Sequence, residues 1–407
     1  MPALAQELVD EITRLVDGTQ NVKALSLASR AFRSSSQRRL FRTWLLYDRD
    51  ARLLNFQRFK GNGPLVAATF KKARKIAADF PHLLDHARDL TVDLLQDARL
   101  ELLEDVLLPQ TPPLVRLAIR NQFSIHMVNM RDLNLTTSPL AHVFFLPTLR
   151  SFSLENFTGV PRSFIPFAMS RFDEVSFVEL GIERTPETSP LPLHPIKART
   201  LNLRCKLGIL HDRDRFTTIL DIDLQNHLRG LRTLKLSSEN ANWTTLLKEG
   251  DITQTLEHLE IKVTYLPRFP ECSFTALRIL RLDFQIHTKV LSGSFEGTAL
   301  PMFPSSVSSF EHLMGLLPVL TPALESLTLY ISVNLIVGPD SWPGPGENVE
   351  PFLGFVSMQH FPRLHGIHLA IASAEEASGF EEYAERLFPG PYAAQILSYS
   401  TFAFSLF

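Results

Sequence analysis

Histidine and cysteine side chains are the usual carriers of metal binding and nucleophilic catalysis, and the chain contains 13 histidines and two cysteines. None of the histidines lies in an H-E-x-x-H motif, and neither Cys205 nor Cys272 belongs to a C-x-x-C motif. His82 and His86 are four residues apart, but the sequence marks no third ligand for them. We therefore expect neither a metal site nor a bound cofactor.

Phosphate-binding and nucleophile motifs are also missing from the sequence. It contains no G-x-x-x-x-G-K-[ST], G-x-G-x-x-G or G-x-S-x-G, and the segment from Gly293 to Gly297 fits none of them. The paired carboxylates Asp221 and Asp223 lie on an amphipathic segment, where they fit its polar face. We expect no catalytic residues. A hydrolase with its site in loops stays an alternative, because a fold alone excludes no site; its activity would have to survive deletion of residues 1–45.

Charge and composition narrow the classes of partner. The 407 residues carry a formal net charge of -2, with 21% charged and 45% hydrophobic residues. Neither half is strongly basic, which argues against a nucleic-acid partner. No stretch approaches the roughly 20 apolar residues of a membrane helix, and the N-terminus shows no apolar signal core, so we expect no membrane partner. Two isolated cysteines fit a reducing compartment, and we expect a cytoplasmic or nuclear location, or both.

Apolar residues recur every three or four positions through the first 45 residues, which predicts short helices. The first helix would carry Leu4, Leu8, Ile12 and Leu15 on one face and end near Gly18, since glycine tolerates the left-handed conformation of many helix stops. A second run includes Val22, Leu25, Ala28 and Phe32, and a third short helix would carry Leu40 and Phe41. Three short helices bury little surface alone, so such a unit usually needs a partner.

Three segments of this region resemble the F-box motif, in the form that fungal proteins use: residues 4–12 (LAQELVDEI), 25–32 (LSLASRAF) and 39–42 (RLFR). Ala5 replaces the usual proline, and Phe32 stands where tryptophan is common. The resemblance implies docking onto the Skp-type adaptor of a Skp–cullin–F-box ubiquitin ligase. The implied adaptor-binding face is Leu4, Leu8, Ile12, Leu25, Leu27, Phe32, Leu40 and Phe41. The alternative is an N-terminal cap whose apolar face packs on the chain's own next domain.

A basic cluster spans the second and third helices of this region: Arg30, Arg33, Arg38, Arg39 and Arg42. Such a cluster can steer the encounter with an acidic partner, an effect that salt screens. The alternative is an ordinary solvated face.

From about residue 85 a signature of the type L-x-x-L-x-L returns with variations. Its copies are 114–119, 149–154, 172–177, 198–203, 231–236, 256–261, 277–282, 324–329 and 364–369, with a fainter copy at 89–94. The motif describes a short strand with alternate side chains inward, preceded by another inward residue at a turn. Stacked copies build a continuous core that one copy cannot. The chain thus resembles an irregular leucine-rich-repeat protein, an α/β solenoid with a curved parallel sheet and outer helices.

The repeats depart from the regular pattern of such proteins. Their spacing runs from about 20 to nearly 50 residues, against the usual 20–29. The asparagine expected three residues after the last leucine is replaced by Gln122, Phe157 and Glu239, so an asparagine ladder is not expected. We predict insertions at 183–195, 288–306 and 338–351, which are rich in Pro, Ser, Thr or Gly.

The positions flanking each strand leucine would form the concave surface. This surface is mixed and mostly polar with a basic lean, which suits a protein partner better than an apolar small molecule. Its candidate substrate-binding residues are Arg116, Arg120, Arg204, Lys235, Lys262, Arg281 and Tyr330. The arginines would also suit a phosphorylated segment. The alternative for any one of them is a solvated strand position.

These observations predict four parts: an F-box-like helical module at 1–45, a helical linker at 46–84, an irregular leucine-rich-repeat solenoid at 85–372 and a C-terminal cap at 373–407. The resemblance implies the substrate-recognition subunit of a ubiquitin ligase, which binds the adaptor and cullin machinery at one end and a protein substrate along the repeats. The alternative is a leucine-rich-repeat interaction scaffold that acts outside a ligase. The substrate cannot be named from the sequence.

Overall fold

The computed structural model describes residues 5–47, 64–94, 112–121, 128–129, 143–183, 196–205, 216–217, 228–238, 246–247, 252–263, 272–287, 317, 319–334, 363–373 and 397–403. The chain divides into two compact units. The first comprises Met1–Pro195 and Ile209–Thr218, and the second comprises Ile196–Gly208 and Ile219–Phe407. The predicted insertions lie almost entirely outside the described residues, as does the C-terminal cap apart from Ser373 and residues 397–403.

Three short helices open the first unit: α1 (Gln6–Leu15), α2 (Thr19–Ala28) and α3 (Arg30–Leu40). Gly18 separates the first two with a φ of 80°, a left-handed value that glycine adopts without a Cβ clash. Ser29 begins α3, because its side-chain oxygen accepts a hydrogen bond from the Ala31 N–H at 3.2 Å and satisfies a donor of the first turn. The local sequence therefore sets both helix boundaries.

Polar contacts fasten α1 to α3. The Ser35 hydroxyl donates to Asp10 Oδ1, and Gln6 Nε2 donates to Ser35 Oγ at 3.0 Å. The bond from Ser35 is the main cause that holds the pKa of Asp10 below its ordinary value. The Arg39 guanidinium donates to the Thr13 carbonyl. The apolar centre between the helices includes Val9, Val22 and Leu40, each buried.

A parallel sheet follows in the first unit, in the order β2-β1-β3-β4-β6-β8. Its strands are β1 (Thr43–Tyr47), β2 (Val66–Thr69), β3 (Asp89–Leu94), β4 (Arg116–Asn121), β6 (Ser151–Glu155) and β8 (Glu174–Val178). Two small pairs accompany it: β5 (Val128–Asn129) with β7 (Phe157–Thr158), parallel, and β9 (Ile182–Glu183) with β11 (Phe216–Thr217), antiparallel. The described helices after α3 in this unit are α4 (Phe70–Asp79), a 3-10 helix (Pro81–His86) and α5 (Phe164–Arg171).

The second unit contains another parallel run in chain order. Its strands are β10 (Thr200–Cys205), β12 (Thr233–Ser238), β13 (His258–Val263), β14 (Ile279–His287), β15 (Ser326–Asn334), β16 (Gly366–Ser373) and β17 (Leu397–Ala403). Helix α6 (Ile252–Thr255) precedes β13, and residues 246–247, 317 and 319–320 are also helical. Each sequence repeat contains one strand, so the prediction of an α/β protein with a long parallel sheet is confirmed.

The segment 46–84, predicted as a helical linker, also contributes strands to the sheet of the first unit. Its described part holds the end of β1, then β2, α4 and the 3-10 helix. β1 pairs with both β2 and β3, and its Trp44 and Leu45 are fully buried. The repeat pattern did not predict β1 and β2, because neither strand has an L-x-x-L-x-L sequence.

In-register pairing stacks the inward side chains into rows. In the first unit Leu117, Phe152 and Val175 lie opposite one another on β4, β6 and β8. In the second unit one buried row holds Leu201, Leu234, Leu259, Leu280 and Leu327. The inward residue two positions later forms a second row in each unit. Burying each such side chain contributes roughly 1.5–3 kcal/mol relative to leaving it exposed.

The backbone carbonyl of the residue before eight of the described strands accepts two hydrogen bonds from the next repeat. These strands are β1, β3, β4 and β6 in the first unit and β10, β12, β13 and β14 in the second. Arg150 O accepts from the N–H groups of Asp173 and Glu174 at 2.8 and 3.1 Å, in the first unit. Arg278 O accepts from Glu325 and the residue after it at 2.8 and 3.0 Å, in the second. Side chains also connect neighbouring repeats at this position, since the Arg278 guanidinium donates two hydrogen bonds of 2.8 and 2.7 Å to the Glu325 carboxylate. The start of a strand is therefore fixed by the preceding repeat.

Two asparagines in the first unit do interact, although no asparagine ladder was expected from the sequence. Asn156 Nδ2 donates to the backbone carbonyl of Asn121 at 2.8 Å, and both residues are buried. They come two residues after the last apolar strand residue, one position earlier than in the regular pattern. Asn156 has a φ of 62°, which asparagine tolerates better than other residues with a Cβ. The bond joins β4 to the turn after β6.

We expect Asn156→Gly to lower the free energy of unfolding by roughly 1.4–2 kcal/mol, with about 1 kcal/mol from loss of this hydrogen bond and the rest from the greater freedom of glycine in the unfolded chain. Asn156→Ala should cost more, since alanine at a left-handed φ adds roughly 1–2 kcal/mol of strain. The strain of alanine is larger than the glycine effect. Greater freedom of glycine in the unfolded chain destabilises the glycine variant by roughly 0.4–1 kcal/mol. Denaturant unfolding of both variants measures the difference. Equal destabilisation by glycine and alanine would show that the positive φ imposes no constraint.

Candidate interaction surfaces

The residues predicted to bind an adaptor fall into three groups in the helical module. Leu8 and Leu27 project into solvent, with 48% and 84% of their surface exposed, and Leu15 beside them is also exposed. Four others are half-buried, namely Ile12, Leu25, Phe32 and Phe41. Leu40 is 7% exposed and packs inside the module, so it has little surface to offer a partner. Leu4 lies outside the described residues.

The basic cluster of the module divides by role. Arg38 lies 3.6 Å from Asp10, Arg39 donates to a backbone carbonyl of α1, and Arg42 lies 3.5 Å from the Asp89 carboxylate. These three hold the helices to one another and to the sheet. Arg30 and Arg33, in the first turns of α3, are exposed and make no ion pair with any described residue. The positive charge available to a partner is therefore concentrated at these two arginines.

On the sheet, the side chains that alternate with the buried rows form what we call the strand face of each unit. The first-unit strand face carries Asp89 and Asp93 on β3, Arg116 and Arg120 on β4, Glu155 on β6 and Glu174 on β8. Arg120 Nε lies 3.1 Å from the Glu155 carboxylate directly opposite, and Arg116 Nε lies 4.0 Å from Asp89. Both arginines predicted to bind substrate are therefore paired across strands.

The second-unit strand face repeats this arrangement over more strands. Lys235 Nζ lies 3.1 Å from the Glu260 carboxylate, and Arg281 Nε lies 3.6 Å from the other oxygen of the same group. One row along, Lys262 Nζ lies 3.0 Å from Asp283. Each pair is directly opposite in the strand register. The sequence pattern placed the three cations and the two carboxylates on one surface but did not pair them. The repeats place the carboxylates at the same offsets from the strand leucines as the cations.

Aromatic groups continue the second-unit strand face beyond the ion pairs. The Arg281 guanidinium carbon lies 4.4 Å from the centre of the Tyr330 ring, within cation–π distance. The Tyr330 and His368 rings meet edge to face with centroids 6.3 Å apart. His368 Nδ1 lies 2.9 Å from Ser398 Oγ. The sequence pattern placed both Tyr330 and His368 on this surface, whereas Ser398 joins the cluster only through the strand register.

Arg204, the last predicted substrate-binding residue, lies exposed on β10 at the other end of the same face. It shares a row with Lys262, which lies two strands away along the register Arg204–Ser237–Lys262. At about 4.8 Å per strand, the two Cα positions are roughly 10 Å apart. The structure thus places Arg204, Lys235, Lys262, Arg281 and Tyr330 on one face of the second unit.

The histidines and cysteines of the described residues are the remaining candidates for chemistry. Over the described ranges, no three His, Cys, Asp or Glu side chains are grouped as a metal site would require. His82 and His86 both lie in the 3-10 helix of the first unit. Cys205 is buried and Cys272 is partly buried, and neither of them is in a disulfide. No helix among the described residues has the length and apolar character to cross a bilayer.

Comparison with known proteins adds no family assignment. A scan against protein-family models gives no match for this chain. A search of curated proteins gives no significant match either. Any assignment of function therefore depends on the surfaces described above and on the resemblance at the N-terminus.

His258 on β13 reports on the electrostatics of the second-unit strand face. Burial is the main cause that lowers the pKa of its imidazole, the Lys235 charge lowers it further, and Glu260 raises it. Because the folded pKa lies below the unfolded value of about 6.5, the unfolded chain binds more protons near that pH. This histidine therefore contributes stability that is complete above about pH 6.5 and declines as the pH falls below it.

We expect Lys235→Met to raise the pKa of His258, because it removes a nearby positive charge, and Glu260→Gln to lower it. An NMR titration of the His258 ring protons measures both shifts. Lys262→Met, which removes the same charge one row away, is the matched control and should leave this pKa unchanged. If the pKa of His258 is unchanged in both the Lys235→Met and the Glu260→Gln variant, the result would contradict the cross-strand arrangement of these charges.

Proposed function

We propose that this chain is the substrate-recognition subunit of a Skp–cullin–F-box ubiquitin ligase. In this proposal α1–α3 form an F-box module that docks on the Skp-type adaptor. The repeats form a curved leucine-rich-repeat solenoid whose strand faces bind a protein substrate. The protein would act in the cytoplasm, the nucleus or both.

The observation that carries the proposal is the exposure of apolar side chains on the helical module. A cap that packs on its own next domain would bury Leu8, Leu15 and Leu27, but all three side chains are exposed. Several exposed leucines on one small module are typical of a surface that a partner covers. They are also residues of, or beside, the segments that resemble the F-box motif.

The exposed positive charge on the helical module favours an acidic partner. Arg30 and Arg33 flank this apolar surface in sequence and are exposed. Exposed cations at the rim of an apolar contact accelerate encounter with an acidic partner more than they add affinity. We therefore expect adaptor association to slow at high salt while the apolar contact sets the dissociation rate.

The role of the repeats follows from their strand faces. These faces are polar and cross-strand paired, and they carry tyrosine, histidine and arginine, which suits recognition of a protein surface. In this mechanism the contribution of the chain is to position the substrate. It would hold a substrate beside the ubiquitin-transfer machinery and so raise the effective concentration of the two reactants.

Leu8→Asp combined with Leu27→Asp is expected to abolish adaptor binding, because each change places a carboxylate in an apolar contact at a cost of several kcal/mol. The affinity should fall by more than about 100-fold. Both side chains are exposed, so the module should stay folded. The measurement is co-purification with a Skp-type adaptor, followed by titration calorimetry and circular dichroism.

The matched control is Val319→Asp, the same kind of change at an exposed apolar residue of the second unit, where Val319 is 73% exposed. It should bind the adaptor as the unchanged chain does. If the unchanged chain is folded yet binds no adaptor, the ligase proposal is wrong. The alternative then takes its place, namely a leucine-rich-repeat interaction scaffold that acts outside a ligase.

A further inference from the structure

The two strand faces differ in charge. The described strands of the first unit carry two cations and four carboxylates on their strand face: Arg116 and Arg120 against Asp89, Asp93, Glu155 and Glu174. The second-unit strand face reverses the balance, with four cations and two carboxylates: Arg204, Lys235, Lys262 and Arg281 against Glu260 and Asp283. Positive charge is therefore concentrated on one face of a chain whose net charge is -2.

The ion pairs of the second-unit strand face also present their cationic ends to solvent. The Lys262 side chain is 66% exposed, whereas its partner Asp283 is 25% exposed. Lys235 and Arg281 are likewise more exposed than the Glu260 carboxylate between them. An incoming group therefore meets the ammonium and guanidinium groups first, and the carboxylates lie below them.

Tyr330 gives this face an anchor. Its ring lies against the Arg281 guanidinium, which also faces Glu260, so two contacts limit the rotamers of this arginine. A restrained arginine loses less conformational entropy when it binds a carboxylate. Tyrosine and arginine are also the residue types that most often dominate binding energy at protein interfaces.

We infer that the second-unit strand face binds an acidic polypeptide segment, with Arg204 and Lys262 taking its carboxylates and the Arg281–Tyr330 pair as its anchor. This inference rests on the proposed function only in identifying that segment as part of a ligase substrate. The face extends over five strands from β10 to β15, which is roughly 19 Å at about 4.8 Å per spacing. An extended segment of about six residues covers that distance.

The charge pattern favours a polypeptide over a nucleic acid. A continuous polyphosphate would meet Glu260 and Asp283 among the cations, and these carboxylates would repel it. Separate carboxylates on a peptide can be placed opposite Arg204 and Lys262 and avoid the two acidic positions. The serine, threonine and asparagine side chains between the cations, at Thr200, Asn202, Thr233 and Ser237, suit hydrogen bonds to a peptide backbone.

The test uses the full chain and a fluorescein-labelled peptide of alternating glutamate and serine, about ten residues long, enough to cover the face. Fluorescence anisotropy measures its affinity for the unchanged chain and for two variants. Arg204→Glu with Lys262→Glu reverses two exposed charges of the face and should weaken binding by about tenfold or more. Arg229→Glu with Arg363→Glu makes the same charge change at exposed turn positions of the same unit and should leave the affinity within about twofold.

Four results would overturn the inference: no binding by the unchanged chain, equal loss in both variants, tighter binding of a single-stranded RNA of equal charge, or binding only when phosphoserine replaces the serines. Circular dichroism of each variant ensures that a loss of binding reflects the face and not unfolding. The chain with Leu8→Asp and Leu27→Asp should bind the peptide normally. A failure of adaptor binding and a failure of this face are therefore distinguishable.

Discussion

The register between neighbouring parallel strands is the constraint on which each unit depends. Side chains alternate along a strand with a period of two, so a slip of one residue would expose Leu234 and Leu236 and bury Lys235 between them. A slip of two residues would keep the alternation but leave an inward side chain without its neighbours. Correct register is thus favoured by several buried leucines at once, and no single contact has to specify it. The helices and longer connections need only bring each strand to its place.

The same register arranges the charges on the solvent side. Glu260 lies between Lys235 and Arg281 because the three residues occupy the same position in successive repeats. Each such exposed pair adds at most about 1 kcal/mol, which is small beside the apolar rows. In the proposed recognition of a partner these pairs would matter more, because they hold long side chains in defined positions before a partner arrives. The first-unit strand face has the same kind of cross-strand ion pairs, with the opposite balance of charge.

The strands were predictable because a repeated spacing of apolar residues is a strong signal when many copies agree. β1 and β2 were not, since their burial depends on the neighbouring strand β3 and on α4, which the local sequence does not specify. In the helical module, helical spacing correctly grouped Leu27 and Leu40 as apolar but could not tell which one faces its own core. The Asn121–Asn156 contact was missed because the regular pattern places asparagine one residue later. The domain limits and the function remain predictions for the same reason: they depend on partners that no spacing encodes.

Where the backbone carbonyl before a strand accepts two hydrogen bonds, a single residue joins one repeat to the next. The connection between two neighbouring strands can vary in length, because only its two ends take part in these hydrogen bonds. This explains how repeats spaced from about 20 to nearly 50 residues apart build one kind of sheet. It also sets the unit of evolutionary change. Duplication or loss of a whole repeat would keep these hydrogen bonds intact, whereas a one-residue insertion inside a strand would shift its side chains out of register. Such a chain therefore tolerates changes in its connections more readily than changes inside its strands.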